Sequence, residues 1–111
     1  MTTTNTRTLA LDLMGKHLRS DWTFAWTTVK FQYAACNYST KQIKINKRYA
    51  QVSSEYFVRD AILHEIAHAM TEGAGHGWVW TIACRQIGAI PNATISSKEN
   101  PAITLMYSPA K

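Results

Sequence analysis

The stretch that decides the fold is Ile62-Leu63-His64-Glu65-Ile66-Ala67-His68-Ala69. His64 and His68 are four positions apart, about 400° of rotation at 3.6 residues per turn. On a helix, both imidazoles therefore leave one face, one turn apart. That spacing lets two ring nitrogens reach a single ion at about 2.0–2.1 Å each. Glu65 follows His64 by about 100° around the helix. It is poorly placed to bind the same ion and well placed to reach a water beside it. With four histidines in 111 residues, an H-E-x-x-H pattern arises by chance on the order of 0.005 times per chain. The pattern is therefore read as chemistry.

Downstream, Gly73, Gly75 and Gly77 crowd the next loop, and His76 sits between the last two. A third imidazole on a glycine-rich turn completes a three-ligand site with an open fourth position, as catalytic zinc requires. Glu72 is the rival third ligand. It lies four residues past His68 and would extend the helical column without closing the site from another side. The expected set is one zinc per chain on His64, His68 and His76, with Glu65 as general base.

Outward from the motif, Ser53 or Ser54 is a plausible N-cap, and Glu55 suits the positive end of the helix dipole. A helix is predicted from there to about Thr71. Another runs from about Trp78 to near Gly88, with Pro91 marking the stop. Trp78, Trp80, Ile82 and Ile87 read as core, with a substrate platform as the alternative, above all for Trp80. Towards the N-terminus, Leu9, Leu13, Met14 and Leu18 have helical spacing and predict a helix over 9–18. Trp22, Phe24 and Trp26 alternate as in a half-buried strand. Val29, Phe31 and Tyr33 continue on the opposite parity, which predicts a bulge or a break near Thr27-Thr28. A turn over 37–41 leads into a strand over 42–46, with Ile43 and Ile45 inward. The order of elements predicts an α+β fold with a short antiparallel sheet. Residues 1–8 read as a disordered tail and 9–111 as one domain with its core in 9–91. Ile103, Leu105 and Tyr107 suit a strand or a strap across that core.

Composition narrows the function. The chain carries a net charge of +5 and is 46% hydrophobic, suited to one packed domain. No apolar run approaches the ~18 residues of a membrane span. The polar start, Met1 to Arg7, has no signal-peptide core behind it, so a cytoplasmic location is expected. Cys36 and Cys84 cannot build a four-cysteine zinc ribbon and read as small buried apolar residues. Lys41, Lys44, Lys47 and Arg48 cluster around one strand, and with a pI near 9.4 they favour weak, sequence-independent contact with DNA. The alternative is a solvated edge strand whose lysines deter edge-to-edge pairing.

Around the motif, Ile62 to Ala69, Gly75-His76-Gly77, Trp80 and the run from Cys84 to Pro91 resemble the SprT-like (Spartan-related) zinc metalloprotease domain. Asp21-Trp22-Thr23-Phe24, Cys36-Asn37-Tyr38 and Ile43-Lys44-Ile45-Asn46 extend the resemblance over roughly residues 9–91. It implies a small zincin-like minidomain with zinc on His64, His68 and His76 and Glu65 as catalytic base. It also implies a peptide or protein substrate and a role near DNA, such as repair of DNA–protein crosslinks. Tyr33, Tyr38 and Arg85 are candidates to steady the oxyanion. A zinc-stabilised but catalytically idle module binding nucleic acid or protein is the second reading, and a hydrolase of non-peptide amides the third.

Overall fold

A computed structural model of the chain describes residues 1–92, 100, 101 and 103. Seven elements follow in order: α1 (Thr3–His17), β1 (Thr23–Thr27), β2 (Ala34–Asn37), β3 (Gln42–Asn46), α2 (Lys47–Val52), α3 (Glu55–Met70) and α4 (Trp78–Ile87). The expected α+β class holds. Helix α3 is the hub, because Val58, Ile62, Leu63, Ile66 and Ala67 are all essentially buried. A helix apolar around most of its circumference must be covered on several sides. The sheet packs on one flank, while α1 and α4 take others.

The sheet has the order β1-β3-β2. β1 runs parallel to β3, and β2 runs antiparallel to it. The sheet is therefore mixed, not purely antiparallel, because the chain leaves β1 for the far edge and returns into the middle. Phe24, Ile43 and Ile45 form its inner face, with Trp26 edge-on to Phe24 at 5.0 Å. Lys44 belongs to the central strand, so the edge-strand reading of the lysines falls; β1 and β2 are the edges.

Several boundaries differ from expectation, each for a local reason. Helix α1 begins at Thr3, not Leu9, so most of the expected disordered tail is helical. Thr2 caps it by accepting from the Asn5 amide at 3.0 Å, and Thr6 is fully buried. Leu9 and Leu18 only flank the core, while Ala10, Leu13 and Met14 enter it. β1 stops at Thr27, whose Oγ1 accepts from the Val29 amide at 3.2 Å and turns the chain outward. Phe31 then adopts φ 65 and is 70% exposed, so of the two expectations at Thr27-Thr28 the break holds and the alternation beyond it lies in a loop. Helix α2 was not anticipated. Asn46 starts it by accepting from the Tyr49 amide at 2.9 Å.

Helix α3 starts after a break at 53–54, with Ser54 at the N-cap position but making no side-chain cap bond. Helix α4 ends as predicted, at Gly88 with φ 89. It buries Trp80, Ala83 and Cys84 on α3, which leaves Trp78 and Ile82 exposed and Ile87 partly so. Those first two are not core. Both cysteines are free; Cys84 is buried and Cys36 half-buried. Ile103 joins the core, and Asn100 donates to Tyr49 Oη and Ser53 Oγ. Leu105 and Tyr107 lie outside the described residues. No described helix is long and apolar enough to cross a membrane.

Candidate functional site

Helix α3 brings the motif to the seam between sheet, α4 and the loop over 71–77. Buried Ile62, Ile66 and Ala67 fix the helix, so the opposite stripe carries His64 and His68 to the seam. At the end of α3, Thr71 Oγ1 donates to the Ala67 carbonyl at 2.7 Å, and its N–H bonds the His68 carbonyl at 3.1 Å. The chain then reverses through Gly73 at φ 85 and Gly75 at φ 57, the left-handed region that side chains with a Cβ enter at a cost. This reversal returns His76 to His68. Their Nε2 atoms stand 3.1 Å apart.

Ligands at ~2.0–2.1 Å around a tetrahedral ion stand about 3.3 Å from one another. The His68–His76 pair therefore fits one edge of such a site. His64 does not join them. Its Nε2 lies 3.2 Å from Asp60 Oδ2 and contacts the Ile90 carbonyl. Among the described residues no three His, Cys, Asp or Glu side chains are gathered so as to hold an ion. The three imidazoles have the donor chemistry a zinc ion takes; His68 and His76 meet, and His64 stands apart from them.

Trp80 is the common floor. Its ring centroid lies 5.5 Å from His64, 5.2 Å from His68 and 4.8 Å from His76. Its Nε1–H donates to the His64 carbonyl at 3.3 Å. Trp80, read as core with a substrate platform as the alternative, thus also touches all three imidazoles. Sequence reasoning also passed over Asp60. The available signal was a carboxylate four residues before His64, hence on the same helical stripe.

Burial shifts the protonation of the site. It pushes His68 down to about 4, with charge on His76 and His64 adding to it; the ring is neutral near pH 7, as a ligand must be. Burial pushes Glu65 up to about 7, against a smaller pull from His64. Burial would lower His64, but the hydrogen bond and charge of Asp60, with the Ile90 carbonyl, outweigh it and raise it. Cys36 is pushed up to about 12 by burial and by the charges of Glu65 and Glu72, so it is a neutral thiol facing this side of α3.

Of the oxyanion candidates, Tyr38 bonds the motif helix, donating to the His68 carbonyl at 3.0 Å. Tyr33 stacks on Tyr49 at 5.1 Å, and Arg85 is exposed on α4. Glu72 is exposed beyond the end of α3. Of the cations, Lys41 pairs with Asp21. Lys44 lies between Ala25 and Ala35 across the sheet, and Lys47 and Arg48 are exposed where α2 begins.

A solved structure shares this fold: the crystal structure of the metallopeptidase zymogen of Methanocaldococcus jannaschii jannalysin superposes with a TM-score of 0.65. The match covers 90% of each chain at 19% sequence identity. No curated protein matches the sequence. The sequence model of the SprT-like family matches residues 5–99. That span takes in most of α1, the sheet, the motif helix and His76, and so the chain belongs to the SprT-like family.

Proposed function

We propose that the chain is a zinc-dependent metallopeptidase that hydrolyses peptide bonds with Glu65 as general base. The observation that carries the reading is the 3.1 Å approach of His68 Nε2 to His76 Nε2, on the helix that also bears Glu65. Family membership and a fold shared with a metallopeptidase support a peptide substrate. His64, His68 and His76 would hold the ion, which when bound supplies Lewis acidity at an open coordination position.

The chain's own residues do the rest. Burial keeps His68 neutral at physiological pH, so no proton has to leave it before it can ligate. Glu65, pushed up to about 7, is matched to both halves of proton transfer near neutrality. It accepts a proton from the attacking water and returns it to the leaving amine. Trp80 backs all three imidazoles, and the His68–His76 edge opens to water.

Glu65→Gln keeps the shape and removes the base. Cleavage of an unstructured peptide should fall roughly 10²-fold or more, with zinc content unchanged. Undiminished cleavage would discard the mechanism. An equal loss of zinc would make Glu65 a ligand or a requirement of the fold. Zinc retention with no cleavage by the wild type, on any unstructured peptide tried, would favour the idle binding module.

The targets we propose are proteins held on DNA, supported by the cations around β3. Binding should be weak and sequence-blind, since the described residues offer no base-reading element. Neutralising about three phosphates predicts a slope of log affinity on log salt near −2 to −3. Lys41, Lys44 and Lys47 changed together to Glu should abolish binding yet leave cleavage of a free peptide nearly intact. Binding that survives the reversal would sink this placement.

A further inference from the structure

The turn between β1 and β2 shows to water what a folded chain ordinarily hides. Val29 is 57% exposed and Phe31 70%, two large apolar side chains within three residues. Phe31 also stands at φ 65, where a bulky side chain is a backbone outlier. The turn is not slack. Thr27 Oγ1 accepts from the Val29 amide and donates to Gln32 Oε1, each at 3.2 Å. The Val29 carbonyl accepts from the Gln32 amide at 3.2 Å and from Asn46 Nδ2 at 3.2 Å. Thr27 and Asn46 are themselves buried, so the turn is tied to the core. The Lys30 ammonium lies 5.2 Å over the Phe31 ring without hiding it. Strain that the surrounding bonds over-determine is a mark of ligand clamps.

β2 leads from this turn to the site. The Asn46 amide bonds the Tyr33 carbonyl at 2.8 Å, so pairing with β3 begins two residues after Phe31. Cys36 shares the inner face with Ile43, its partner on β3, and lies close enough to Glu65 to feel its charge. Tyr38 then ties the end of the strand to the His68 carbonyl. Among the described residues β2 is an edge of the sheet. Phe31 precedes Cys36 by five residues, at most about 17 Å of extended chain. A peptide cut beside Glu65 covers that distance with about five residues of its own.

We propose that Val29 and Phe31 grip a large apolar side chain of the substrate, up to about five residues from the scissile bond. The proposal rests on the peptidase reading above. The size of the turn favours a peptide side chain over a second copy of the chain. Two side chains fall far short of the roughly 800 Å² per partner that a stable dimer buries. A contact remote from the reacting bond holds an unfolded segment in register, and so orients the bond to be cut.

Phe31→Gly removes the ring and keeps the turn, since glycine adopts this φ freely. In a library of short unstructured peptides, with cuts located by mass spectrometry, the wild type should favour Leu, Phe or Met at one position within about five residues of the cut. Phe31→Gly should erase that preference and lower kcat/KM on favoured peptides roughly tenfold, as expected for one large apolar side chain left unburied. Peptides without that side chain should be cut at the wild-type rate, and the melting temperature should hold or rise. A loss spread equally over all peptides would make Phe31 structural and overturn the proposal. So would a wild type that cuts without preference; the peptidase reading would then stand and the grip alone would fall. Should Phe31→Gly not fold, Val29→Ser serves the same comparison. Amide NMR of the Glu65→Gln protein tests the grip without cleavage. Amides of residues 28–32 should shift with a Leu-rich peptide and not with its serine-substituted counterpart. If they do while the wild type cuts nothing, the peptidase reading fails and the grip stands as a binding site. If they do not, the grip falls. Shifts that follow protein concentration alone, or phosphatidylcholine vesicles and not peptide, would give the turn to a second copy or a lipid surface and overturn the proposal.

Discussion

The candidate site has two halves built on different principles. His64, Glu65 and His68 ride on α3, whose inner residues Ile62, Ile66 and Ala67 are completely buried. His76 rides on a loop in which Gly73, Gly75, His76 and Gly77 are all exposed. Local bonds fold that loop, from Ala74 N to Thr71 O and from Gly77 N to Ala74 O. Moving the helical half means disturbing the core; moving the loop half means breaking a few bonds open to water. The first is tied to global stability and the second to local opening. A ligand that joins the halves gives the loop a rigidity its own contacts lack.

The most severe way to break this comparison is to remove what the halves share. Trp80→Ala leaves a large cavity beneath all three imidazoles and should cost about 3–5 kcal/mol of stability. Urea unfolding would measure it, and a loss under 1 kcal/mol would mean that the floor is not what positions the histidines. Metal removal should sharpen the contrast. With chelator, amide exchange in residues 71–77 should rise by an order of magnitude or more while the centre of α3 stays protected, since ordering by a bound ion is lost where nothing else supplies it. Equal deprotection of both would show that the helix too depends on metal.

The smallest effect belongs to Gly75→Ala. No atom lies within 4 Å of the added Cβ, so space is available and only the φ of 57 is penalised. About 1–2 kcal/mol is expected, and it should fall on the loop. Zinc affinity should drop by roughly an order of magnitude while the melting temperature of metal-free protein moves little. A large fall in that melting temperature would show the loop to be part of the global unit.

The same division explains what could be read from the sequence. The helical half was legible because spacing on a helix fixes direction: His64, His68 and the cap region around Ser54 follow from periodicity. Helix α4 and its stop at Gly88 were legible for the same reason. Strand β2 was not, because Ala34-Ala35-Cys36-Asn37 carries no alternation, and its status comes from pairing with β3. Helix α2 escaped although Asn46, a strong N-cap residue, announced it. The start of α1 escaped because a run of threonines gives no apolar stripe, yet Thr6 is buried. The rotation of His64 could not be read, since Ile90, twenty-six residues away in sequence, sets it together with Asp60.

The strand order has a consequence for how the chain is made. β1 and β2 are both synthesised before β3, and neither pairs with the other; each bonds only to the strand that follows them both. During translation no part of this sheet can form until β3, from Gln42 onward, begins to leave the ribosome. β1 must wait with Phe24 and Trp26 uncovered, a stretch open to wrong pairing. Once β3 emerges, the short turn over 38–41 closes the β2–β3 hairpin cheaply, whereas the parallel β1 contact closes a longer loop. The last strand to appear is thus the one that assembles the sheet, and Ile43 and Ile45 are the residues on which slow or premature release would tell most.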